Sequence, residues 1–112
     1  MKYFVNDEHR KGTCYHEFYK GKWDEETFWA SESLFLHDGI LYEAVAFTEA
    51  ISAVLPEYDP FGETEIDYDH WKMIGERICK TRSEMAIELF YEADKWAQGV
   101  FPSYGCFTIL GI

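Results

Sequence analysis

Apolar and polar residues alternate with a period of two near the start of the chain. Residues 13–20 place two sets of side chains at alternate positions, and most of them are aromatic or β-favouring. This alternation is typical of a half-buried strand. An earlier apolar group at residues 3–5 is separated from it by a polar stretch. The pattern therefore predicts a β-hairpin that closes near Lys11 and Gly12.

Three later segments carry apolar residues at spacings of three and four, which is typical of amphipathic helices. The first has Asp38 as its N-cap and ends before Pro56. The second has Asp69 as its N-cap, and the third begins at Ser83 and ends near Gly99. The apolar positions of the three predicted helices are Ile40, Leu41, Ala44, Val45, Thr48, Ile51, Val54 and Leu55; Trp71, Ile74, Ile78 and Cys79; and Ala86, Ile87, Phe90, Ala93, Trp96 and Ala97.

The remaining segments are predicted to be loops and strands. Residues 24–37 fit a helix start and short buried strands equally well, so their structure stays open. Residues 56–67 contain two prolines and no helical period, which predicts an ordered surface loop with a short strand at 64–66. Residues 106–110 are apolar on both faces apart from Thr108, which is typical of a strand inside a sheet.

These elements predict one domain over residues 1–112. Strands at both ends of the chain are separated by a run of helices, which indicates an α+β fold. We expect a single-domain sandwich in which an N-terminal β-hairpin is joined by the C-terminal strand and packs against about three helices.

The distribution of charge says more about function than about fold. The formal net charge is −11, and between Trp23 and Trp71 there are thirteen acidic residues and no Lys or Arg. A domain that concentrates like charge in one block carries a cost in self-repulsion, and such a surface is most useful against a basic partner. The pattern therefore favours a binding protein with a basic protein partner over an enzyme, with general solubility as the alternative explanation. The same acidity argues against nucleic acid or an anionic membrane as the partner.

The spacing of cysteines and histidines gives little support for catalytic or metal chemistry. No C-x-x-C, H-x-x-x-H or H-E-x-x-H pair is present, and these are the spacings that zinc and redox sites use. Cys14 and His16 share one face of the predicted strand, which suits a thiolate-imidazole pair, but half-buried packing is the favoured interpretation. Glu65, Asp67 and Asp69 could hold a hard cation, yet the twelve-residue calcium pattern is absent. We predict no catalytic residue, no metal and no cofactor.

The cellular compartment is predicted from the cysteines and from the apolar runs. Three cysteines that are far apart in sequence suggest reduced thiols. The amino terminus lacks a leader pattern. No apolar run approaches the ~18 residues that a membrane span needs. We expect a cytoplasmic protein.

The segment from Glu57 to Asp69 is the strongest candidate for a binding site. Six of its thirteen residues are acidic, none is basic, and three aromatic rings are interleaved with them. Carboxylates steer a basic partner and desolvated rings slow its release. The alternative is that the rings turn inward and the acids merely face water. The predicted partner-binding residues are Glu57, Tyr58, Asp59, Phe61, Glu63, Glu65, Asp67 and Asp69, with Asp24, Glu25 and Glu26 as a smaller acidic patch.

The residues from Leu55 to Ile66, followed by Trp71, resemble a bacterial immunity protein of a polymorphic toxin or contact-dependent growth inhibition system. The end of the chain, from Gly105 to Leu110, is similar to that of barstar-type inhibitors of basic ribonucleases. The resemblance implies a protein that is not an enzyme and that neutralises a cognate toxin, most simply a nuclease, with carboxylates in place of phosphates. It assigns no inhibitory residue to this chain.

Two rival functions remain open at this point. A DNA-mimic or anti-restriction regulator would use the same surface chemistry against several nucleic-acid-binding proteins. A small metal-dependent hydrolase would instead require Asp67 or Asp69 for activity.

Overall fold

Four strands form one antiparallel sheet in this computed structural model, which describes residues 1–111. They are β1 (Tyr15–Lys20), β2 (Leu34–His37), β3 (Glu63–Asp67) and β4 (Cys106–Leu110), and their order in the sheet is β2-β1-β4-β3. The C-terminal strand β4 pairs with β1 on one side and with β3 on the other. This arrangement confirms the α+β class, the junction of the C-terminal strand with the N-terminal hairpin, and the interior position of residues 106–110.

The hairpin uses a different second strand from the one the sequence predicted. β1 pairs antiparallel with β2 through the connecting residues 21–33, whereas Val5 forms one isolated bridge to Phe35. The predicted turn at Lys11 and Gly12 is therefore wrong. Alternation identifies a strand but not its partner, and β2 offers three fully buried positions that the first residues of the chain do not.

Four α-helices connect the strands, two between β2 and β3 and two between β3 and β4: α1 (Asp38–Glu43), α2 (Val45–Val54), α3 (Tyr68–Cys79) and α4 (Glu84–Tyr104). The single helix predicted from Asp38 is divided at Ala44, whose ψ is 60°. His37 caps α1 instead of Asp38, because its Nδ1 accepts a hydrogen bond from Gly39 N. Periodicity misses the break because buried residues continue at helical spacing on both sides of it.

The starts of the two later helices are set by side-chain caps. Asp67 caps α3, since its Oδ1 accepts a hydrogen bond from His70 N at 2.8 Å; the predicted cap, Asp69, lies in the first turn instead. Ser83, where this helix was predicted to begin, caps α4 by accepting a hydrogen bond from Ala86 N at 3.1 Å. Asp, Ser and Asn all satisfy the free N–H groups of a first turn, so sequence alone does not separate two aspartates two residues apart.

The last helix runs further than its sequence predicted. α4 continues past Gly99 and through Pro102, and it ends at Gly105, whose φ is 76°. Val100 and Phe101 are buried in the added turn. Their apolar burial outweighs the poor helix preference of the glycine and the proline.

The helices pack against one face of the sheet around Phe107. The Trp71 ring, 1% exposed, lies 5.2 Å from the Phe107 ring and 4.7 Å from the Phe90 ring, measured between ring centroids. Two positions predicted on buried helix faces, Val45 and Cys79, are exposed. Among the described residues, none of the helices has the combination of length and apolarity that a bilayer crossing requires.

Replacing one glycine on each of two neighbouring helices by alanine is predicted to change the free energy of unfolding in opposite directions. A Cβ on Gly75 would lie 2.9 Å from Phe90 Cε1, inside the packed α3–α4 contact, whereas a Cβ on Gly99 meets nothing within 4 Å. Gly75→Ala should therefore lower the free energy of unfolding by about 1–2 kcal/mol, since overpacking outweighs the gain in helix propensity. Gly99→Ala should raise it by up to about 1 kcal/mol. Urea unfolding of both variants checks this, and stabilisation by Gly75→Ala would contradict the tight packing of α3 on α4.

Candidate partner-binding surface

The face of the sheet opposite the helices is covered by residues 21–33, which we call the covering loop. Glu17 lies on this face of β1 and is 2% exposed. Its carboxylate accepts hydrogen bonds from Trp29 N at 2.7 Å, Ala30 N at 3.0 Å and Ser33 Oγ at 2.7 Å. Three donors from the loop on one buried carboxylate hold the loop against the sheet.

The acidic end of the covering loop is held in one conformation by Asp24. Its carboxylate accepts hydrogen bonds from the Thr27 hydroxyl and from the backbone N–H groups of Glu26 and Thr27. The bond from the Thr27 hydroxyl is the main reason that the pKa of Asp24 is lowered. Glu25 has a φ of 67°, in the left-handed region that non-glycine residues rarely adopt. The hydrogen bonds to Asp24 on either side of Glu25 therefore fix the direction in which the Glu25 side chain extends from the loop.

The covering loop and β3 meet at a cleft of about 450 Å³, which we call the acidic cleft. Four carboxylates line it: Glu25 from the covering loop, Glu57 from the segment before β3, and Glu63 and Glu65 from β3. Its other lining residues are Lys22, Trp23, Thr64 and Thr108. Of the lining residues in the described chain, Lys22 carries the only positive charge.

The strand geometry of β3 explains why its carboxylates gather on this side. Its exposed and buried residues alternate, with Thr64 and Ile66 buried and Glu63, Glu65 and Asp67 exposed. Alternate side chains of a strand lie on one face at intervals of about 6.8 Å. Three negative charges are therefore evenly spaced along the outer face of β3, and two of them, Glu63 and Glu65, line the cleft together with Glu25.

The other predicted acidic residues flank the cleft rather than line it. Asp24 and Glu26 are exposed on either side of Glu25. Asp59 lies in the turn before β3, where its Oδ1 accepts a hydrogen bond from Phe61 N at 2.9 Å. Asp67 and Asp69 are at the start of α3. Hydrogen bonds from His70, chiefly from its backbone N–H, lower the pKa of Asp67.

The predicted aromatic contacts separate into one exposed ring and one half-buried ring. Phe61 is 80% exposed, whereas Tyr58 packs against the hydrophobic core. The Tyr58 hydroxyl is buried, and it has no hydrogen-bond partner among the described residues. Burial first, and the nearby Asp59 and Asp38 carboxylates next, raise the pKa of Tyr58 to about 12. Of these two rings, Phe61 is therefore the one that is accessible for contact.

Sequence reasoning missed the aromatic side of the covering loop. The rings of Trp23 and Phe28 are 5.1 Å apart, Phe28 is 53% exposed, and Trp23 lines the acidic cleft. The position of these rings on both sides of the Asp24 to Glu26 patch was a usable signal. Glu17 carried none, because its importance depends on donors 12 to 16 residues away.

The residues considered for thiolate-imidazole chemistry and for cation binding have other partners in the structure. Cys14 is exposed, while His16 is buried with its Nε2 2.8 Å from Asp38 Oδ1, so the imidazole has a carboxylate and not the thiol as its partner. Within residues 1–111, no three His, Cys, Asp or Glu side chains converge as a metal-binding group. Glu65 instead accepts a hydrogen bond from Cys106 Sγ at 3.3 Å. Partial burial, and then Glu65, raise the pKa of this thiol to about 11.

The acidic cleft is thus a recess lined by four carboxylates and one aromatic residue, Trp23, and the exposed Phe61 ring lies in the turn before β3. Such a surface can attract and hold positively charged groups of a partner. Comparison of the chain with protein-family models, with curated proteins and with solved structures found no match.

Proposed function

We propose that this chain is an immunity protein that binds and neutralises a basic toxin domain, a nuclease, through the acidic cleft. The observation that carries the proposal is the convergence of Glu25 with Glu57, Glu63 and Glu65, which come from segments more than 30 residues apart. Solubility alone requires charges that are spread out and mixed in sign. It gives no reason for two acidic segments to face one recess.

The spacing of the charges supports a nuclease as the target. Carboxylates at intervals of about 6.8 Å along an extended strand have a separation similar to that of successive phosphates in an extended nucleic-acid strand. The active site of a nuclease binds such phosphates with Lys and Arg. A rigid row of carboxylates can occupy that site and exclude the substrate, because the basic side chains find the same charge at the same intervals.

Exposed aromatic residues in the segments that supply the carboxylates give the second part of the proposed interaction. Carboxylates raise the rate of encounter, whereas rings that lose water on binding slow dissociation. Phe61 and Phe28 are 80% and 53% exposed, and both lie in segments that supply the acidic residues. The complex is expected to form quickly and to separate slowly, as an immunity protein requires in the cytoplasm of the producing cell.

Co-production with the toxin tests this function. The proposed function requires a toxin gene next to the gene for this chain. The probe is the C-terminal domain of that toxin, produced in a sensitive host with and without the chain. We expect growth to be restored by the chain, and the association rate of the two purified proteins to fall as the Debye length decreases from ~10 Å to ~3 Å. Unchanged toxicity would contradict the proposal, and comparable binding to several unrelated nucleic-acid-binding proteins would favour the DNA-mimic alternative.

A further inference from the structure

The strand that carries the acidic row is also an edge of the sheet. β3 pairs with β4 and with no other strand of the described chain. The opposite edge of the sheet is partly occupied, because Val5 exchanges two backbone hydrogen bonds with Phe35 of β2, at 3.0 and 2.8 Å. The two edges are therefore not equivalent, and β3 is the one without a neighbour.

The register shows which backbone groups of β3 face outward. Gly111 N donates to Gly62 O at 2.7 Å, and the pairing continues with Thr64 opposite Ile109. In an antiparallel ladder, hydrogen-bonded and non-hydrogen-bonded pairs alternate. The even-numbered residues of β3 therefore bond to β4, and the N–H and C=O groups of Glu63 and Glu65 point away from the sheet.

These outward groups are free in the structure. Within residues 1–111, the backbone N–H and C=O of Glu63 and Glu65 have no hydrogen-bond partner. Both residues are exposed. The two residues therefore offer two donors and two acceptors at the edge, and their carboxylates stand on the adjoining outer face.

The charge on this edge selects its occupant. A second copy of the chain that paired β3 with β3 would bring the carboxylates of Glu63, Glu65 and Asp67 against each other, and like charges opposite one another destabilise a strand pair. Opposite charges in those positions stabilise it. The edge is thus closed to self-association, a common protection of edge strands, and it stays complementary to a basic strand.

We infer that β3 accepts an extended basic segment of the partner as a fifth, antiparallel strand, with Lys or Arg at every second position opposite Glu63 and Glu65. Main-chain hydrogen bonds supply affinity in this mode of recognition, and alternate side chains supply specificity. The inference rests on the proposed function for the identity of the partner, but the edge itself can be tested with a peptide.

The probe is a nine-residue peptide of alternating lysine and valine with blocked ends, measured by titration calorimetry. Glu65→Pro and Glu65→Ala form a matched pair, since both remove the carboxylate but only proline removes the outward N–H, a position where edge strands tolerate proline. We expect Glu65→Pro to bind the peptide at least about fivefold more weakly than Glu65→Ala. A peptide that is N-methylated at its lysine amides should bind neither the Glu65→Pro variant nor the Glu65→Ala variant.

Hydrogen exchange on the unsubstituted protein provides a test that does not depend on how the variants fold. The amides of Glu63 and Glu65 should become protected when the peptide is added. Equal binding by the proline and alanine variants, binding without that protection, absence of binding, or dimerisation through β3 would each overturn the inference. If Glu65→Pro and Glu65→Ala bind the peptide equally while the chain still neutralises the toxin, the strand-pairing inference fails and the proposed function remains intact.

Discussion

Replacing Glu25, Glu57, Glu63 and Glu65 by lysine is expected to weaken binding of the proposed toxin domain by about a thousandfold or more. Close charge pairs across an interface contribute about 1.5–7 kcal/mol each, and about 4 kcal/mol in total is enough for three orders of magnitude. The reversed side chains would also repel the basic site of the proposed partner. The loss of close charge pairs should raise the dissociation rate, and the association rate at low salt should also fall, because these carboxylates line an open recess.

Thermal stability should change little in the same variant. The four residues are exposed, and the side-chain hydrogen bond that they make among the described residues is the one from Cys106 to Glu65. Four reversals bring the formal net charge from −11 to −3, which relieves self-repulsion. A melting temperature close to that of the unchanged protein would therefore show that any lost binding reflects the surface and not unfolding.

A matched variant separates the cleft from the overall charge. Lysine at Glu8, Glu43, Glu49 and Glu76 gives the same net charge of −3, and these four exposed residues lie outside the cleft. The control should keep binding within about tenfold of the unchanged protein, since long-range steering accounts for modest differences in rate. Equal losses in the two variants would mean that net charge, and not the cleft, governs recognition.

The sequence predicted local features better than it predicted which segments pair. Helical periodicity located the buried faces around Trp71, Ile74 and Ile78 and around Phe90 and Ala93, because that signal depends on neighbours three and four residues apart. The partner of β1 depends on contacts across residues 21–33, and no local pattern encodes them. The predicted hairpin failed for this reason.

The candidate site shows the same limit. The acidic segment around Glu57 and the patch around Glu25 were both visible in the sequence, and their exposure follows from their charge. Their meeting at one cleft required the β2-β1-β4-β3 order, which sequence reasoning did not supply. The direction of the rings also could not be predicted: Tyr58 and Phe61 are three residues apart, and only Tyr58 finds room against the core.

Removing the carboxylate of Glu17 is expected to produce the largest loss of stability outside the hydrophobic core. Glu17→Ala leaves Trp29 N, Ala30 N and Ser33 Oγ without their acceptor in a buried position. Each buried donor without a partner costs about 1–3 kcal/mol, so the free energy of unfolding should fall by about 3–5 kcal/mol. For a domain of this size the melting temperature would decrease by more than about 10 °C.

Two milder substitutions test whether the covering loop is held by this carboxylate. Ser33→Ala removes one of the three donors and should cost about 1 kcal/mol. The loss of unfolding free energy in Glu17→Gln should lie between those of Ser33→Ala and Glu17→Ala. Its carbonyl oxygen can still accept from Ala30 N and Ser33 Oγ, whereas its amide group faces Trp29 N. Urea unfolding gives the order, and equal small losses in all three variants would show that the loop is held elsewhere.

The stability of the covering loop and the binding of the partner should change together at Glu17. The loop positions Glu25 at the cleft, and Glu25 and Trp29 have φ values of 67° and 61°, which non-glycine residues keep only when surrounding contacts enforce them. Glu17→Ala releases the contacts of Trp29, Ala30 and Ser33, so the covering loop is no longer fixed on the sheet. Asp24 still holds the local turn around Glu25, but Glu25 loses its position at the cleft. We therefore expect Glu17→Ala to weaken toxin binding even at temperatures where the variant is fully folded. Ser33→Ala should bind normally, which is the result that separates a positioning role of Glu17 from a general loss of fold.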